Sequence, residues 1–411
     1  MKDSKSVIVV GGGASGLIAA IAAARKGANV VVLERLSRVG KKLLATGNGR
    51  CNLTNINTDI GFYHGNNPKF ALSALNSFNC NQTIDFFQYL GIDPKVEDKG
   101  KVYPYSLQSS SVLDVLKYEI KTLNIKEMCE QEVVDIRATK PKFTIVTTAG
   151  QMKADSIILA TGGKASPQLG SNGSGYELAE KLGHRIITVH PSLVQLKLKE
   201  KYVKQMKGVK VEGKVSVGVE EKKIREEEGE ILFTDYGISG PPILQVSRVA
   251  LEKLNKDKTT WLSVDIFPEY SFNQLEELIR TRLAYSGTKP LDFSFIGLLN
   301  KNMIPVVLQC AEVKNVKIDA YKATDKEIKS IVQVLKHWKF TVKDFNSWKH
   351  AQTTAGGVDT RDISPKTLES KIIKGLYICG ELLDIDGDCG GFNLQWAWSS
   401  GFIAGENAAK E

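Results

Sequence analysis

Residues 1–34 constrain the fold of this chain more than any other stretch. An apolar run, residues 7–10, stops at a glycine-rich turn at 11–16, and an alanine-rich segment follows. A second apolar run, residues 29–33, ends at Glu34. This order predicts a strand, a glycine turn, a helix and a second strand that ends in an acidic residue, which is the frame of a dinucleotide-binding fold.

The turn has the spacing G-x-G-x-x-G, and each glycine has its own role. Gly11 permits the tight turn, Gly13 lets the backbone approach a pyrophosphate, and Gly16 lets the helix pack on the strand. The helix would begin at Ala14 and Ser15, where free N–H groups and the positive end of the helix dipole attract phosphate. A glycine-rich turn in an ordinary α/β fold is the alternative.

The end of the second strand supplies two more candidate cofactor-binding residues. The carboxylate of Glu34 can accept hydrogen bonds from ribose hydroxyls, as the acid at this place does in dinucleotide-binding folds. Arg35 follows it directly.

The length and composition indicate a globular protein of two or three domains. The 411 residues are 42% hydrophobic and 25% charged. No stretch reaches the roughly 20 apolar residues of a membrane span, and the first apolar run enters the glycine turn at once, unlike a signal peptide. We therefore expect a cytoplasmic protein that has no membrane partner.

The charge and the cysteine content limit the kinds of partner and ligand that we expect for this chain. The net charge is +9, but glutamate runs interrupt lysines that are spread along the chain. This favours a generally basic surface over a nucleic-acid partner. The six cysteines contain no C-x-x-C pair, which fits free thiols in a reducing cytosol and argues against a zinc ribbon. No metal site is expected.

A polar loop after the second strand supplies the next candidates. It has little hydrophobic period and several glycines, and loops of such specific chemistry commonly bind a ligand. An ordinary surface loop is the alternative. The candidate cofactor-binding residues here are Lys42, Thr46, Gly47, Asn48, Gly49, Arg50, Cys51 and Asn52.

Later segments return to the same glycine-rich chemistry. Buried strands are predicted to end at Ala160-Thr-Gly and at Gly380-Glu, and a loop at 384–391 precedes a final helix that is rich in small residues. The remaining candidate cofactor-binding residues are Val134, Ala160, Thr161, Gly162, Glu381, Asp388, Gly391, Asn393, Leu394 and Gln395.

Between these segments the pattern changes to short runs of period two, which predict antiparallel strands. We expect β-rich parts at 191–270 and 339–349 and a helical part at 271–338, where Ser271–Gln274 and Thr324–Glu327 are capping boxes. The predicted fold class is α/β: a Rossmann-like domain split into 1–190 and 350–411, with an inserted antiparallel β domain, 191–349, that carries a small helical bundle.

Three glycine loops, at 11–16, 46–49 and 387–391, fit a large two-part cofactor better than a mononucleotide. FAD meets this requirement, with its pyrophosphate at the first loop and its ring at the last. A helix that begins at Asn393 would direct N–H groups at flavin N1 and O2, where negative charge accumulates on reduction. Because the chain has no second G-x-G-x-x-G, we expect no separate NAD(P)H domain.

Two long runs resemble the signature of the BaiN/RdsA flavoproteins, a family that includes aminoacetone-oxidase-like enzymes. The resemblance implies FAD, a split flavin domain and an inserted β-plus-helical domain. Asp235 departs from the histidine that is common there in the family, which leaves its effect on substrate choice open. The matching runs are Ala45–Asn52 and Gly380–Gly401, with shorter ones at 102–104, 233–241 and 354–358.

The sequence therefore predicts an FAD-dependent oxidoreductase that exchanges hydride between flavin N5 and a small organic substrate, with NAD(P)H as a candidate reductant. Two alternatives stay open: an amine oxidase that passes electrons to O₂, and a non-enzymatic or RNA-associated flavoprotein. No catalytic acid or base stands out, and the five histidines have no metal spacing. Substrate, electron partner and oligomeric state stay undetermined.

Overall fold

The chain folds into two units, one of which is discontinuous in sequence. The first unit is Met1–Pro191 with Ala351–Glu411, and the second is Ser192–His350. The computed structural model describes residues 4–139, 142–256 and 258–410.

A five-stranded parallel sheet forms the centre of the first unit. Its strands read as continuous apolar runs because a parallel sheet that is covered on both faces buries both sides of each strand. Val7, Ile157 and Ile378 are accordingly inaccessible to solvent. In spatial order the strands are Leu376–Ile378, Ser156–Leu159, Ser6–Val10, Asn29–Leu33 and Lys126–Met128.

The strand order reverses at the first strand, Ser6–Val10. On one side lies Asn29–Leu33, the next strand of this sheet along the chain, and on the other lies Ser156–Leu159, which comes much later. In open α/β sheets, ligands bind outside the carboxyl ends of the strands at such a switch point. The glycine turn at 11–13 and the segment 160–163 both follow strands at this place.

Two helices of the first unit, Ala14–Arg25 and Phe392–Ala408, pack closely side by side. A Cβ atom at Gly401 would lie 2.3 Å from the backbone oxygen of Ser15, and one at Gly405 would lie 2.2 Å from that of Ala19. The contact partner advances by four residues on both helices, so the two helices run in the same direction. The small residues that the sequence shows in the last helix therefore allow its close contact with the first helix.

Shorter elements complete the first unit. Two consecutive short helices are separated at Asn79, which caps the second one by accepting from the N–H of Gln82. The further helices are Leu72–Ser77, Cys80–Tyr89, Ser109–Thr122 and Ser174–Lys181. The small sheets are formed by Val133–Thr139, Lys142–Thr147 and Gly150–Ala154; by Thr54–Asn55, Lys101–Pro104 and Pro94–Val96; by Tyr63–His64 and Asp386–Gly387; and by Ile186–Ser192 and Thr353–Val358.

The second unit is built on a closed antiparallel barrel. The predicted fold class, an α/β domain with an antiparallel β insertion, is confirmed. In spatial order the barrel strands are Leu196–Leu198, Gly237–Ser239, Lys222–Phe233, Lys210–Val219, Thr260–Asp265 and Trp338–Phe345. The helices are Pro241–Leu254, Phe272–Ser286, Leu291–Ser294, Ile304–Cys310 and Asp325–Lys336.

Helix starts in this unit follow the local sequence. Both predicted capping boxes are present, with Ser271 and Thr324 each accepting from the N–H three residues later. The helix Pro241–Leu254 lies within the range predicted as β-rich. Its buried stripe, which includes Ile243, Val246 and Ala250, has the helical spacing that would have revealed it.

Candidate cofactor site

The glycine turn after the first strand is held mainly by backbone contacts. The N–H of Gly11 donates to the oxygen of Leu33 over 2.8 Å. Gly11 has a φ of +106°, and a Cβ atom there would lie 2.6 Å from the oxygen of Ala160. A Cβ atom at Gly16 would lie 1.9 Å from the oxygen of Gly11. The turn and its packing therefore require glycine at both positions.

Gly13 is glycine for a different reason. A Cβ atom there would meet no atom within 4 Å, so the space beside this residue is open. Gly13 is also the N-cap of the helix Ala14–Arg25, and no side chain caps that helix. Since the first N–H groups of a helix have no partner within it, those near Ala14 and Ser15 fit a phosphate group.

Glu34 lies beside this turn, as predicted for a ribose-binding acid. Its Oε2 accepts from the N–H of Gly12 over 2.9 Å, and its Oε1 accepts from that of Leu36 over 2.8 Å. Each carboxylate oxygen has capacity for a second bond, so the fit to a ribose diol is preserved. Arg35 is used differently, because its Nε donates to the backbone oxygen of Gly170 over 3.1 Å.

Val134 lies near the same end of the sheet. Its strand, Val133–Thr139, follows Gln131, whose N–H donates to the backbone oxygen of Glu34 over 2.9 Å. The side chain of Val134 is 45% exposed. The structure thus groups Val134 with the acid and the turn, at the end proposed for the adenosine.

The residues after the two neighbouring strands meet the turn from the other side. The N–H of Ala160, which begins the segment Ala160–Gly162, donates to the oxygen of Val10 over 2.9 Å. A Cβ atom at Gly380 would lie 2.5 Å from the Oγ of Ser15. The carboxyl edge of the sheet therefore brings these three predicted segments together.

Lys42 and Glu381, both predicted to bind the cofactor, form an ion pair. The Nζ of Lys42 lies 2.9 Å from Oε2 of Glu381. The other carboxylate oxygen accepts from the N–H of Thr354 over 3.0 Å, and the Oγ1 of Thr354 accepts from Lys164 and Ala165. This network joins the loop after the second strand to two later segments of the first unit.

The loop at 46–52 has an unusual backbone. Asn48 and Cys51 have φ values of 56° and 59°. The neighbouring glycines, Gly47 and Gly49, also have positive φ values. Such conformations are costly for residues other than glycine and concentrate at functional sites. The hydroxyl of Thr46 steadies the loop by donating to the oxygen of Leu43 over 2.7 Å.

Arg50 is held by protein partners. Its Nη1 lies 3.1 Å from Oε2 of Glu97, and its guanidinium carbon lies 4.3 Å from the ring centre of Tyr103. The sequence predicted Arg50 as a cofactor-binding residue. The structure shows that its Nη2 also donates to the hydroxyl of Tyr103 over 3.4 Å, so two of its N–H groups and one face of its guanidinium are already engaged.

The two residues that follow Arg50 are buried. Burial raises the pKa of the Cys51 thiol to about 12, so this cysteine is a packing residue. The side-chain oxygen of Asn52 is buried and has no hydrogen-bond partner among the described residues. It would lie 3.0 Å from a Cβ atom at Gly391. A buried acceptor between two predicted cofactor loops fits a ligand that carries an N–H donor, as the flavin ring does.

The C-terminal loop is held by side chains. The amide of Asn393 accepts from the N–H of Gly387 over 2.8 Å and donates to the oxygens of Gly387 and Asp388 over 2.6 and 3.2 Å. Asp388 in turn lies 2.7 Å from Nε2 of His64. The side chains of Asn393 and Asp388, predicted to face the cofactor, therefore shape the loop, and backbone N–H groups near Leu394 are left to face a ligand.

Gln395 corrects the sequence prediction. Its side chain is fully buried, and its Oε1 lies 2.5 Å from the hydroxyl of Thr54, which donates to it. Its Nε2, which has two hydrogens to donate, lies within 3.0 Å of the backbone oxygen of Phe78 and the hydroxyls of Thr83 and Ser399. All of these partners are protein groups, so the side chain of Gln395 ties the last helix to the core and is not available to a cofactor.

The two uncapped helix starts are staggered. Ser15 lies level with Gly401 of the parallel helix Phe392–Ala408, and no side chain caps that helix at Gly391. The eight residues from Asn393 to Gly401, at a rise of roughly 1.5 Å each, place its N-terminus about 12 Å beyond that of the first helix. Two separated anion-stabilising ends fit a cofactor with a pyrophosphate at one end and a reducible ring at the other.

Three residues of this site were missed or undervalued in the sequence. His64 and Thr354 were not among the predicted cofactor-binding residues. Asn55, whose Nδ2 donates to the oxygen of Gly390 over 2.9 Å, was not singled out. Their partners are distant in sequence, so only pairwise covariation among homologues could have indicated them.

Two further predictions concern residues outside this cluster. Asp235 lies in the second unit and pairs with Lys207 over 2.9 Å at the surface; the hydrogen bond from Lys207 lowers the pKa of its carboxyl.

Within the described ranges, no group of three or more His, Cys, Asp or Glu side chains is placed to hold a metal ion. Nor does any described helix have the length and apolar character to cross a bilayer.

Comparison with known proteins places the chain in a family. The model of the HI0933-like protein Rossmann domain matches residues 5–407. The 3-dehydro-bile acid delta(4,6)-reductase of Clostridium scindens is 40% identical over 98% of both chains. The ribosomal RNA dihydrouridine synthases of Haemophilus influenzae and Escherichia coli are 30% and 27% identical, over 100% and 97% of both chains.

The fold and the site define a Rossmann-type flavoprotein whose dinucleotide is FAD. The chain belongs to the HI0933-like family, and the resemblance to the BaiN/RdsA flavoproteins is confirmed. It is an FAD-dependent oxidoreductase, as the sequence predicted.

Proposed function

We propose that this chain reduces a carbon–carbon double bond conjugated to a carbonyl group in a small organic substrate, with NAD(P)H as the reductant. The observation that carries the proposal is the 40% identity to a 3-dehydro-bile acid delta(4,6)-reductase over nearly the full length of both chains. Such a substrate has a ketone next to the double-bond system, so a hydride added at the far end of that system leaves negative charge on the carbonyl oxygen.

The other relatives support the same reaction class. The product named for them, dihydrouridine, is uridine with two hydrogens added across a double bond next to a ring carbonyl. Relatives that differ in substrate size therefore share one bond change. We infer that this chain retains the reaction class, whereas its substrate is set by parts of the chain that differ from the relatives.

In this proposal, different residues of the first unit bind different parts of FAD. The N–H groups beyond Gly13 bind the pyrophosphate, and Glu34 binds the adenosine ribose. The Lys42–Glu381 pair and the loop at 46–52 line the middle and the ring. Once it is reduced, bound FAD would supply hydride from N5 of its ring. The N–H groups near Asn393 would stabilise negative charge on the reduced ring.

A direct test uses the purified holoenzyme without oxygen. NADH or NADPH should bleach the visible flavin band, and a 3-oxo-Δ4 steroid acid should restore it with formation of the saturated ketone. The corresponding saturated acid is the matched control and should leave the flavin reduced. If NAD(P)H cannot bleach the band but an amine can, the chain is an amine oxidase and this proposal is wrong.

Reduction of uridine in RNA is the second candidate. The 30% identity to a ribosomal RNA dihydrouridine synthase over the full length of both chains and the net charge of +9 favour it. Binding through lysines would weaken steeply as salt rises, because counterions are released from the phosphates. If the reduced enzyme forms dihydrouridine in a ribosomal RNA transcript and fails on unsaturated ketones, this candidate replaces the first.

We place the enzyme in the cytoplasm. All six cysteines are free thiols, and a reducing compartment keeps thiols in that state. Fractionation of the source cells, with activity recovered in the cytosolic fraction, would test this placement.

A further inference from the structure

We propose that His64 is a positioning residue for the flavin: through Asp388 it fixes the loop 387–391 in the conformation that receives the ring. The inference rests on the proposed placement of the ring at that loop. It adds a role for a histidine that belongs to no predicted cofactor segment, more than 300 residues away from the loop in sequence.

The contact itself is short and sheltered. Nε2 of His64 donates to Oδ1 of Asp388 over 2.7 Å, and the two side chains are 22% and 9% exposed. A carboxylate so nearly buried is costly unless it accepts hydrogen bonds. At this distance the bond belongs to the charge-assisted class, which is about twice as strong as a neutral hydrogen bond.

Backbone contacts also join the segment 62–65 to the loop that contains Asp388. The N–H of Asp388 donates to the oxygen of Phe62 over 2.9 Å, and His64 pairs with Asp386 in an antiparallel ladder. A Cβ atom at Gly65 would lie 2.2 Å from the oxygen of Asp384. The segment 62–65 therefore lies against the loop, and His64 joins it to the side chain of Asp388.

A displacement of Asp388 would directly disturb the start of the helix Phe392–Ala408. The amide of Asn393 donates to the backbone oxygen of Asp388 over 3.2 Å, and Asn393 is in the first turn of the helix Phe392–Ala408. Gly391, the N-cap, has a φ of +102° and no side-chain cap. The N–H groups proposed to face the ring therefore depend on the loop, and the loop depends on Asp388 and His64.

The experiment compares His64→Ala with His64→Gln, whose amide N–H can still donate to Asp388. His337→Ala is the control, because His337 is exposed and lies in the second unit. For each protein, three quantities are measured: the FAD dissociation constant of the apoprotein, the reduction potential of the bound flavin, and the thermal midpoint of the apoprotein.

We expect His64→Ala to weaken FAD binding about tenfold, which corresponds to about 1.4 kcal/mol, and to lower the flavin potential. The potential falls because the N–H groups that favour the negatively charged reduced ring are displaced. His64→Gln should restore both quantities. All apoprotein midpoints should match the control.

Three results would overturn the inference. The first is wild-type affinity and potential in His64→Ala, and the second is failure of His64→Gln to restore them. The third is a loss of affinity that is matched by a lower apoprotein midpoint, because this would make His64 a stability residue only. Gly13→Glu separates these from failure of the cofactor placement: if it loses FAD while His64→Ala keeps it, only the role of His64 is wrong.

Discussion

The glycine turn at 11–16 and the loop at 387–391 both lead into an uncapped helix start, but they are held by different means. Backbone contacts and absent side chains shape the turn, where a Cβ atom at Gly16 would collide with Gly11. Side chains from distant segments shape the loop, among them Asn55, His64 and Asn393. The comparison shows that residues close together in the sequence can form a phosphate site, whereas the proposed ring site depends on side chains that are distant in the sequence.

The largest effect on FAD binding should come from Gly13→Glu in the turn. Because the space there is open, the variant should fold, but its carboxylate would repel the pyrophosphate. We expect FAD binding to weaken at least about 100-fold, equal to about 2.7 kcal/mol, as measured by flavin retention and titration of the apoprotein. Gly13→Gln, of equal size without charge, should lose less. A folded Gly13→Glu protein with full flavin would show that the turn is not the pyrophosphate site.

Gly401→Val tests whether the two helix starts are held in fixed register. Its side chain would press on the backbone of Ser15, where a Cβ atom already lies 2.3 Å from the oxygen. We expect the free energy of unfolding to fall by about 3 kcal/mol, the upper end for overpacking, in denaturant titrations. Ala397→Val, at a half-buried position of the same helix, should cost much less. Equal stability of the two variants would contradict the close packing.

Asn393→Ala removes one brace from the C-terminal loop and leaves the turn intact. Three hydrogen bonds within the loop are lost, so the loop should loosen. We expect FAD binding to weaken about tenfold, with the visible spectrum of the remaining flavin altered because the ring end is disturbed. Asn407→Ala, near the other end of the same helix, is the control. If the control weakens binding as much, the effect is not specific to the loop.

The smallest effect on FAD binding is expected at Glu34, whose carboxylate accepts from the N–H of Gly12 in the turn and from the N–H of Leu36 outside it. Glu34→Gln keeps one acceptor oxygen and replaces the other by a donor that faces an N–H group. FAD binding should weaken about fivefold, or about 1 kcal/mol, in the same titration. A loss as large as that of Gly13→Glu would mean that Glu34 shapes the turn itself, and the two regions would then differ less than proposed.

The same contrast explains what could be predicted from the sequence. The strand, turn, helix and acid of residues 6–34 are consecutive, so their spacing alone predicts the local fold and the phosphate site. The capping boxes at Ser271 and Thr324 were predictable for the same reason. In each case, the residues that interact are close in the chain.

The braces of the C-terminal loop could not be predicted in this way. His64 and Asp388 are 324 positions apart, and Asn55 and Gly390 are 335 apart, so no periodicity links them. Gln395 was placed at the cofactor because it follows the loop motif, although its side chain points to the core. Motif membership identifies a segment, whereas the direction of each side chain depends on tertiary packing.

The most direct test of the central claim is an anaerobic reoxidation experiment. The holoenzyme is reduced with just enough NADH or NADPH and mixed with a 3-oxo-Δ4 steroid acid, while the visible flavin band and the product are followed together. The account predicts that the band returns and that one saturated ketone forms per flavin. If the flavin is reoxidised only when oxygen is admitted, with no saturated product, the claim that this chain reduces conjugated double bonds is contradicted.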